Sequence, residues 1–180
     1  MSCAYLAFTD RGLALAHRLS QAQPGSVERC GKDGVRLADW TSRNFALCEA
    51  LVFVGAVGIA VRAIAPHCRS KATDPAVVVV DEAGQFAIPV LSGHLGGANA
   101  LARTLAAACG AVAVITTATD VRGVFAVDEW AKQAGCTVLE PERIKKVSGR
   151  LLAGEPVGFW SEFPVNGTPP AGVSPAPSQQ

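Results

Sequence analysis

Residues 91–102 read LSGHLGGANALA: one histidine among three glycines, between an apolar run and an alanine-rich stretch. That pattern suits chemistry on a carbonyl group. An imidazole titrates near neutrality and can move protons. Glycines at a helix start leave backbone amides open to a carboxylate or a developing oxyanion. His94 is therefore the candidate general base, with the amides of Gly96 and Gly97 as oxyanion donors. Asn99 falls in the first helical turn, where it either caps the helix or meets substrate. Ser92 lacks the GxSxG context of an activated nucleophile. It reads as a turn or cap hydroxyl that can also contact substrate. The competing reading of His94 is a ring that only bonds the loop backbone.

Two other segments carry similar signals. Gly55-Ala56-Val57-Gly58 follows an apolar run and opens a helix, so its amides can approach an anion. It is neither GxGxxG nor followed by a Walker lysine, and close helix–strand packing explains it equally well. Thr116, Thr117, Thr119 and Asp120 end a further apolar run. They read either as hydroxyl donors to a ligand or as strand-end caps, with Asp120 a candidate to orient His94. Around Pro66 stand Arg62, His67, Arg69, Lys71 and Asp74. This is a solvated loop or a cationic rim for a polyanion, with Arg62 and Lys71 as the proposed carboxylate partners. Ligands in open α/β sheets sit beyond the carboxyl ends of the strands. If the strands are parallel neighbours, loops 55–58, 92–97 and 116–120 converge on one cleft.

The elements that must hold these loops follow from periodicity. Unalternating apolar runs at 51–54, 77–80 and 112–115 suit strands buried on both faces. Residues 3–8 form another strand, and Thr9 or Asp10 caps the helix that follows. A helix over 40–49 has Asp39 or Thr41 near its cap. Residues 81–84 form a turn, and 86–90 return as a hairpin partner. A helix over 97–109 is closed by Gly110. Beyond it come a helix over 125–134, a strand at 136–139, a helix over 142–152 and a strand at 157–160. Such alternation predicts a three-layer α/β/α domain with a mostly parallel sheet over residues 1–120. A small α/β middle region follows over 121–163. Residues 164–180 are rich in Pro, Gly, Ser and Gln, a composition of linkers and disordered tails.

Composition narrows the function. With 49% hydrophobic residues in 180, a sizeable core can form. A net charge of +1 gives no general attraction to nucleic acid or an anionic membrane. The apolar run 50–61 is too short for a membrane span. Asp10 and Arg11 break the first apolar run before a signal-peptide core could form. Six cysteines without a CxxC pair, and three scattered histidines, argue against a protein-bound zinc or iron–sulfur site. The pattern fits a reduced cytoplasm.

The blocks GAVGIAVRAIAP, KATDPAVVVVDEAGQFAIPVLSGHLGGANALA, VITTATD and IKKVSGRLLAGEPVGF together resemble the cobalamin-biosynthesis family CbiG, the cobalt-precorrin-5A hydrolases. They span about residues 51–159 in the family's order and spacing. The resemblance implies an enzyme of the early-cobalt route to vitamin B12. It would open the δ-lactone of cobalt-precorrin-5A and release acetaldehyde, giving cobalt-precorrin-5B. The substrate carries its own cobalt, so no cofactor is expected. Arg62 and Lys71 are expected to pair its many carboxylates, and Gly55, Gly58, Ser92, Asn99, Thr116, Thr117 and Asp120 are the other expected substrate-binding residues. Family members continue into a C-terminal domain similar to the separate protein CobE, whereas this chain stops in its proline-rich segment. A CobE-like domain or protein is thus an expected partner. The alternative is a non-catalytic tetrapyrrole-binding module completed by that partner. A homodimer stays open.

Overall fold

The apolar runs become the interior of a six-stranded sheet. The computed structural model describes residues 1–70 and 73–177, which form two compact units, Met1–Ile115 and Thr116–Gln180. In chain order the first unit contains β1 (Cys3–Ala7), α1 (Asp10–Ala22), β2 (Gly25–Arg29), α2 (Leu37–Leu47), β3 (Ala50–Val54), α3 (Val57–Ile64), β4 (Ala76–Val80), β5 (Phe86–Leu91), α4 (Ala98–Cys109) and β6 (Val112–Ala113). The sheet order is β2-β1-β3-β4-β5-β6. β1 to β4 are mutually parallel, β5 is antiparallel to β4, and β6 runs parallel to β5. β1, β3 and β4 are buried at every position, which is why their sequences do not alternate.

The pleat sends alternate side chains into two cores. Tyr5, Val52, Val54, Val78 and Val80 pack under Leu15, Leu19, Leu101 and Leu105 of α1 and α4. Leu6, Leu51, Phe53, Val77 and Val79 pack under Trp40, Ala60 and Ile64 of α2 and α3. Trp40 meets Phe53 edge-to-face, with ring centroids 5.3 Å apart. The result is the expected α/β/α sandwich.

Helix ends follow local chemistry in part. Thr9 caps α1, its hydroxyl accepting from the Gly12 amide at 3.0 Å. Gly110 closes α4 at φ 75°, a left-handed value that glycine adopts without a Cβ penalty. α2 departs from expectation. It begins at Leu37 with Arg36 in the cap position and no side-chain cap, so neither Asp39 nor Thr41 plays that role. β6 is also shorter than the apolar run 112–115, because only Val112 and Ala113 pair with β5.

The reversal between β4 and β5 rests on one side chain. The Asp81 carboxylate accepts from the amides of Ala83 (3.0 Å), Gln85 (2.7 Å) and Phe86 (2.6 Å). Gly84 takes φ 69° and donates to the Asp81 carbonyl at 2.9 Å. Leu91 therefore ends opposite Val77, near the start of β4.

The second unit contains α5 (Ala118–Arg122), α6 (Val127–Gln133), a 3₁₀ turn at Pro141–Arg143, α7 (Ile144–Leu152), β7 (Val157–Phe159) and β8 (Val173–Pro175). Its core is thin: Ala131, Ile144 and Leu151 are its buried apolar side chains among the described residues. The strand expected at 136–139 does not form. Its β-favouring residues find no ladder, and Leu139 is 89% exposed. Conversely, Val173–Pro175 in the proline-rich segment pairs in parallel with β7. Among the described residues, no helix is long and apolar enough to cross a membrane.

Two predictions follow from this packing. Asp81→Ala removes three charge-assisted bonds and should cost about 2 kcal/mol, lowering the thermal midpoint by about 4–8 °C. Asp81→Asn should recover part of that loss in the same melt. Burial raises the Cys3 thiol from 9.0 to about 11 and pushes the Tyr5 phenol up as well. Both folded values exceed the unfolded ones, so this contribution is complete below pH 9 and is lost as pH climbs towards 11. Cys3 accounts for about 2–3 kcal/mol of that loss. Thermal midpoints of Cys3→Ala should fall less steeply over this window than those of the wild type.

Candidate functional site

The loop between β5 and α4 is closed by its own backbone. Ser92 leaves the strand at φ 56°, the one non-glycine residue with positive φ among the described residues. Such a conformation costs about 1–3 kcal/mol and persists only where neighbours hold it. Two neighbours do so. The Ser92 hydroxyl donates to the Asp74 carbonyl at 2.9 Å. Gly96 lies directly over Ser92, so close that a methyl group there would sit 2.3 Å from the Ser92 Cβ. Gly97 then donates to the His94 carbonyl (2.9 Å), Ala98 to Ser92 (3.1 Å) and Asn99 to Gly93 (2.9 Å).

These bonds revise the expected oxyanion site. The Gly97 amide is already committed to His94, and the next two amides of α4 are committed to loop carbonyls. The Gly96 amide is left, with no hydrogen-bond partner among the described residues. His94 sits half-buried on the same turn. Asn99 is 2% exposed, its amide group lying over Gly93, where a methyl group would come within 2.9 Å of Asn99 Oδ1. Asn99 shapes the loop from beneath, and Ser92 is a turn hydroxyl.

Asp74 ties this loop to the segment after α3. Its Oδ2 accepts from the amides of Arg69 (2.9 Å) and Ser70 (3.1 Å), while its carbonyl receives Ser92. In the sequence Asp74 is one charge among several around Pro66. The signal was present in Thr73-Asp74-Pro75, a turn-initiating Asp-Pro before a strand. All these groups lie at the end of the sheet where β3 and β4 begin.

The expected convergence of loops does not occur for 55–58 and 92–97. β5 runs against β4, so its loop emerges at the opposite end from Gly55, whose amide donates to the Val80 carbonyl at 2.9 Å. Gly55 has a packing role: a methyl group there would lie 2.7 Å from the Phe8 ring. Gly58 is sterically open, its nearest neighbour being the Arg62 guanidinium at 3.6 Å. Arg62 is exposed and folds back towards the Gly58 carbonyl at 3.5 Å, away from the histidine end. Lys71 lies outside the described residues. Thr116, Thr117 and Asp120 belong to the second unit, where the Thr117 hydroxyl bonds the Asp120 carboxylate across the first turn of α5.

Comparison with known proteins agrees with this architecture. Residues 39–120 match the family model for the cobalamin synthesis G N-terminal region, and residues 125–178 match that for the cobalamin biosynthesis central region. The chain belongs to the CbiG family. A cobalt-precorrin-5A hydrolase of Salmonella typhimurium is 42% identical over 168 residues, covering 88% of this chain and 48% of that protein. One of Priestia megaterium is 43% identical over 114 residues, covering 63% of this chain and 30% of that protein. The crystal structure of a cobalamin biosynthesis protein G homologue from Sulfolobus solfataricus superposes with a TM-score of 0.59 at 25% identity, over 96% of this chain and 52% of that one. This CbiG chain thus spans about half or less of the curated relatives' length. The histidine loop, Asp74 and Arg69 all fall within the N-terminal family region.

The glycines of the two loops should respond in opposite ways. Gly96→Ala forces a backbone clash with Ser92 and should cost about 2–3 kcal/mol, read by urea unfolding together with faster hydrogen exchange at Ala98 and Asn99. Gly58→Ala, in an open helical position, should be neutral or stabilise by up to about 1 kcal/mol.

Proposed function

We propose that this chain supplies the lactone-opening site of a cobalt-precorrin-5A hydrolase. The observation that carries the reading is its 42% identity over 168 residues to the Salmonella typhimurium enzyme of that name. The histidine loop supplies suitable groups. Water attacks the δ-lactone carbonyl while His94 takes its proton. The Gly96 amide holds the oxyanion. Collapse of the tetrahedral intermediate breaks the acyl C–O bond, and the imidazolium returns its proton to the departing alkoxide. Deprotonation of the freed hydroxyl then releases acetaldehyde. The oxygen's electron pair forms its C=O, and the broken C–C pair stays with the macrocycle. The cobalt belongs to the substrate. Six free cysteines support a cytoplasmic setting for this chemistry.

A second reading is a non-catalytic tetrapyrrole-binding module that works with a CobE-like partner.

Acetaldehyde release from cobalt-precorrin-5A, followed by coupled NADH oxidation with alcohol dehydrogenase, separates the two. The catalytic reading expects turnover by the chain alone. Corrinoid binding with turnover appearing only after the partner half is added selects the module. In whichever form is active, His94→Ala should lower turnover at least tenfold with an unchanged circular dichroism spectrum. Wild-type yield from that variant removes the imidazole from the mechanism.

A further inference from the structure

A cleft of about 380 Å³ opens between α2 and the segment that follows α3. Phe45 and His67 form one wall, their rings 5.6 Å apart and tilted by 34°. Arg69, Thr73 and Asp74 form the other. Two observations decide what this cleft attracts. Asp74 is 8% exposed, and its Oδ2 accepts from the amides of Arg69 and Ser70, so that oxygen is engaged within the turn. The Arg69 guanidinium, by contrast, makes no ion pair or hydrogen bond among the described residues. A guanidinium without a partner among the described residues, in a cleft also lined by His67 and Phe45, offers a planar fork of donors to a carboxylate.

The geometry points to a carboxylate-binding subsite in which Arg69 is the ionic partner and the His67–Phe45 stack is the wall along which the ligand's apolar arm lies. The volume holds a side arm such as a propionate and is too small for a macrocycle. Its position gives the subsite a purpose. Asp74 lines the cleft and, through its carbonyl, receives Ser92 at the foot of the histidine loop. An arm anchored here would place the rest of a carboxylate-rich ligand at the same end of the sheet as His94. The assignment of that ligand to a corrinoid rests on the function proposed above; the carboxylate subsite itself does not.

Two probes keep those claims apart. The first is glutarate, titrated against the His67 ring resonances by NMR. It should shift them saturably in the wild type, with at least tenfold weaker binding in Arg69→Gln and an intermediate affinity in Arg69→Lys, which keeps the charge but loses the fork. Arg36→Gln, which removes a cation outside the cleft, should match the wild type. Absence of a saturable shift, or an Arg69→Gln variant with wild-type affinity, overturns the subsite. The second probe is cobyrinic acid against its heptamethyl ester, followed by corrin absorbance. Arg69→Gln should weaken the free acid about tenfold and leave the ester unchanged. Glutarate binding through Arg69 without any Arg69 effect on cobyrinic acid keeps the subsite and overturns its assignment to the corrinoid. Loss of acetaldehyde release with both binding effects intact counts against the catalytic reading alone.

Discussion

The direction of β5 governs where the histidine loop lies. Asp81 gathers three amides onto one carboxylate and turns the chain back along β4. Without that reversal, the strand before the histidine would run with its neighbours and deliver the loop beside Gly55. With it, the loop lands against Asp74 at the opposite end. A parallel α/β sheet ordinarily places its ligand beyond the carboxyl ends of the strands. Here the β1–β3 end has Gly55 packed against Phe8, while the end carrying His94 also has the Arg69 cleft.

Much of the scaffold was readable in advance, for physical reasons. Runs such as Leu51-Val52-Phe53-Val54 have no polar face because both faces meet helices, and Thr9 and Gly110 mark helix ends by what their backbones need. The hairpin itself was readable from its turn residues. Its consequence was not, because the end of the sheet to which a strand delivers its loop depends on long-range pairing. The failures share that origin. Residues 136–139 have strand-forming side chains but no neighbour to pair with, whereas Val173–Pro175 lacks a strand-like composition and has one in β7.

The candidate site shows a finer limit. Gly96 and Gly97 look alike in sequence, yet one amide is spent on the His94 carbonyl and the other is not. Glycine permits both outcomes, and only the path of the loop selects between them. In the same way Arg62 and Arg69 are equivalent members of a basic stretch. One turns back towards its own helix, and the other stands in a cleft where the carboxylate among the described lining residues, Asp74, already accepts from two amides. The engagement of Asp74 Oδ2 by two backbone amides is invisible in a charge count.

The closure of the histidine loop also bears on how a ligand would be received. The amides of Gly97, Ala98 and Asn99 are spent on the loop's own carbonyls, and its one left-handed serine is clamped from above by Gly96 and from below by the Asp74 carbonyl. The ordering entropy of these residues is therefore settled when the chain folds. A molecule arriving there meets a surface already in its final shape, and selection among candidates rests on fit to that mould rather than on a lid closing over them.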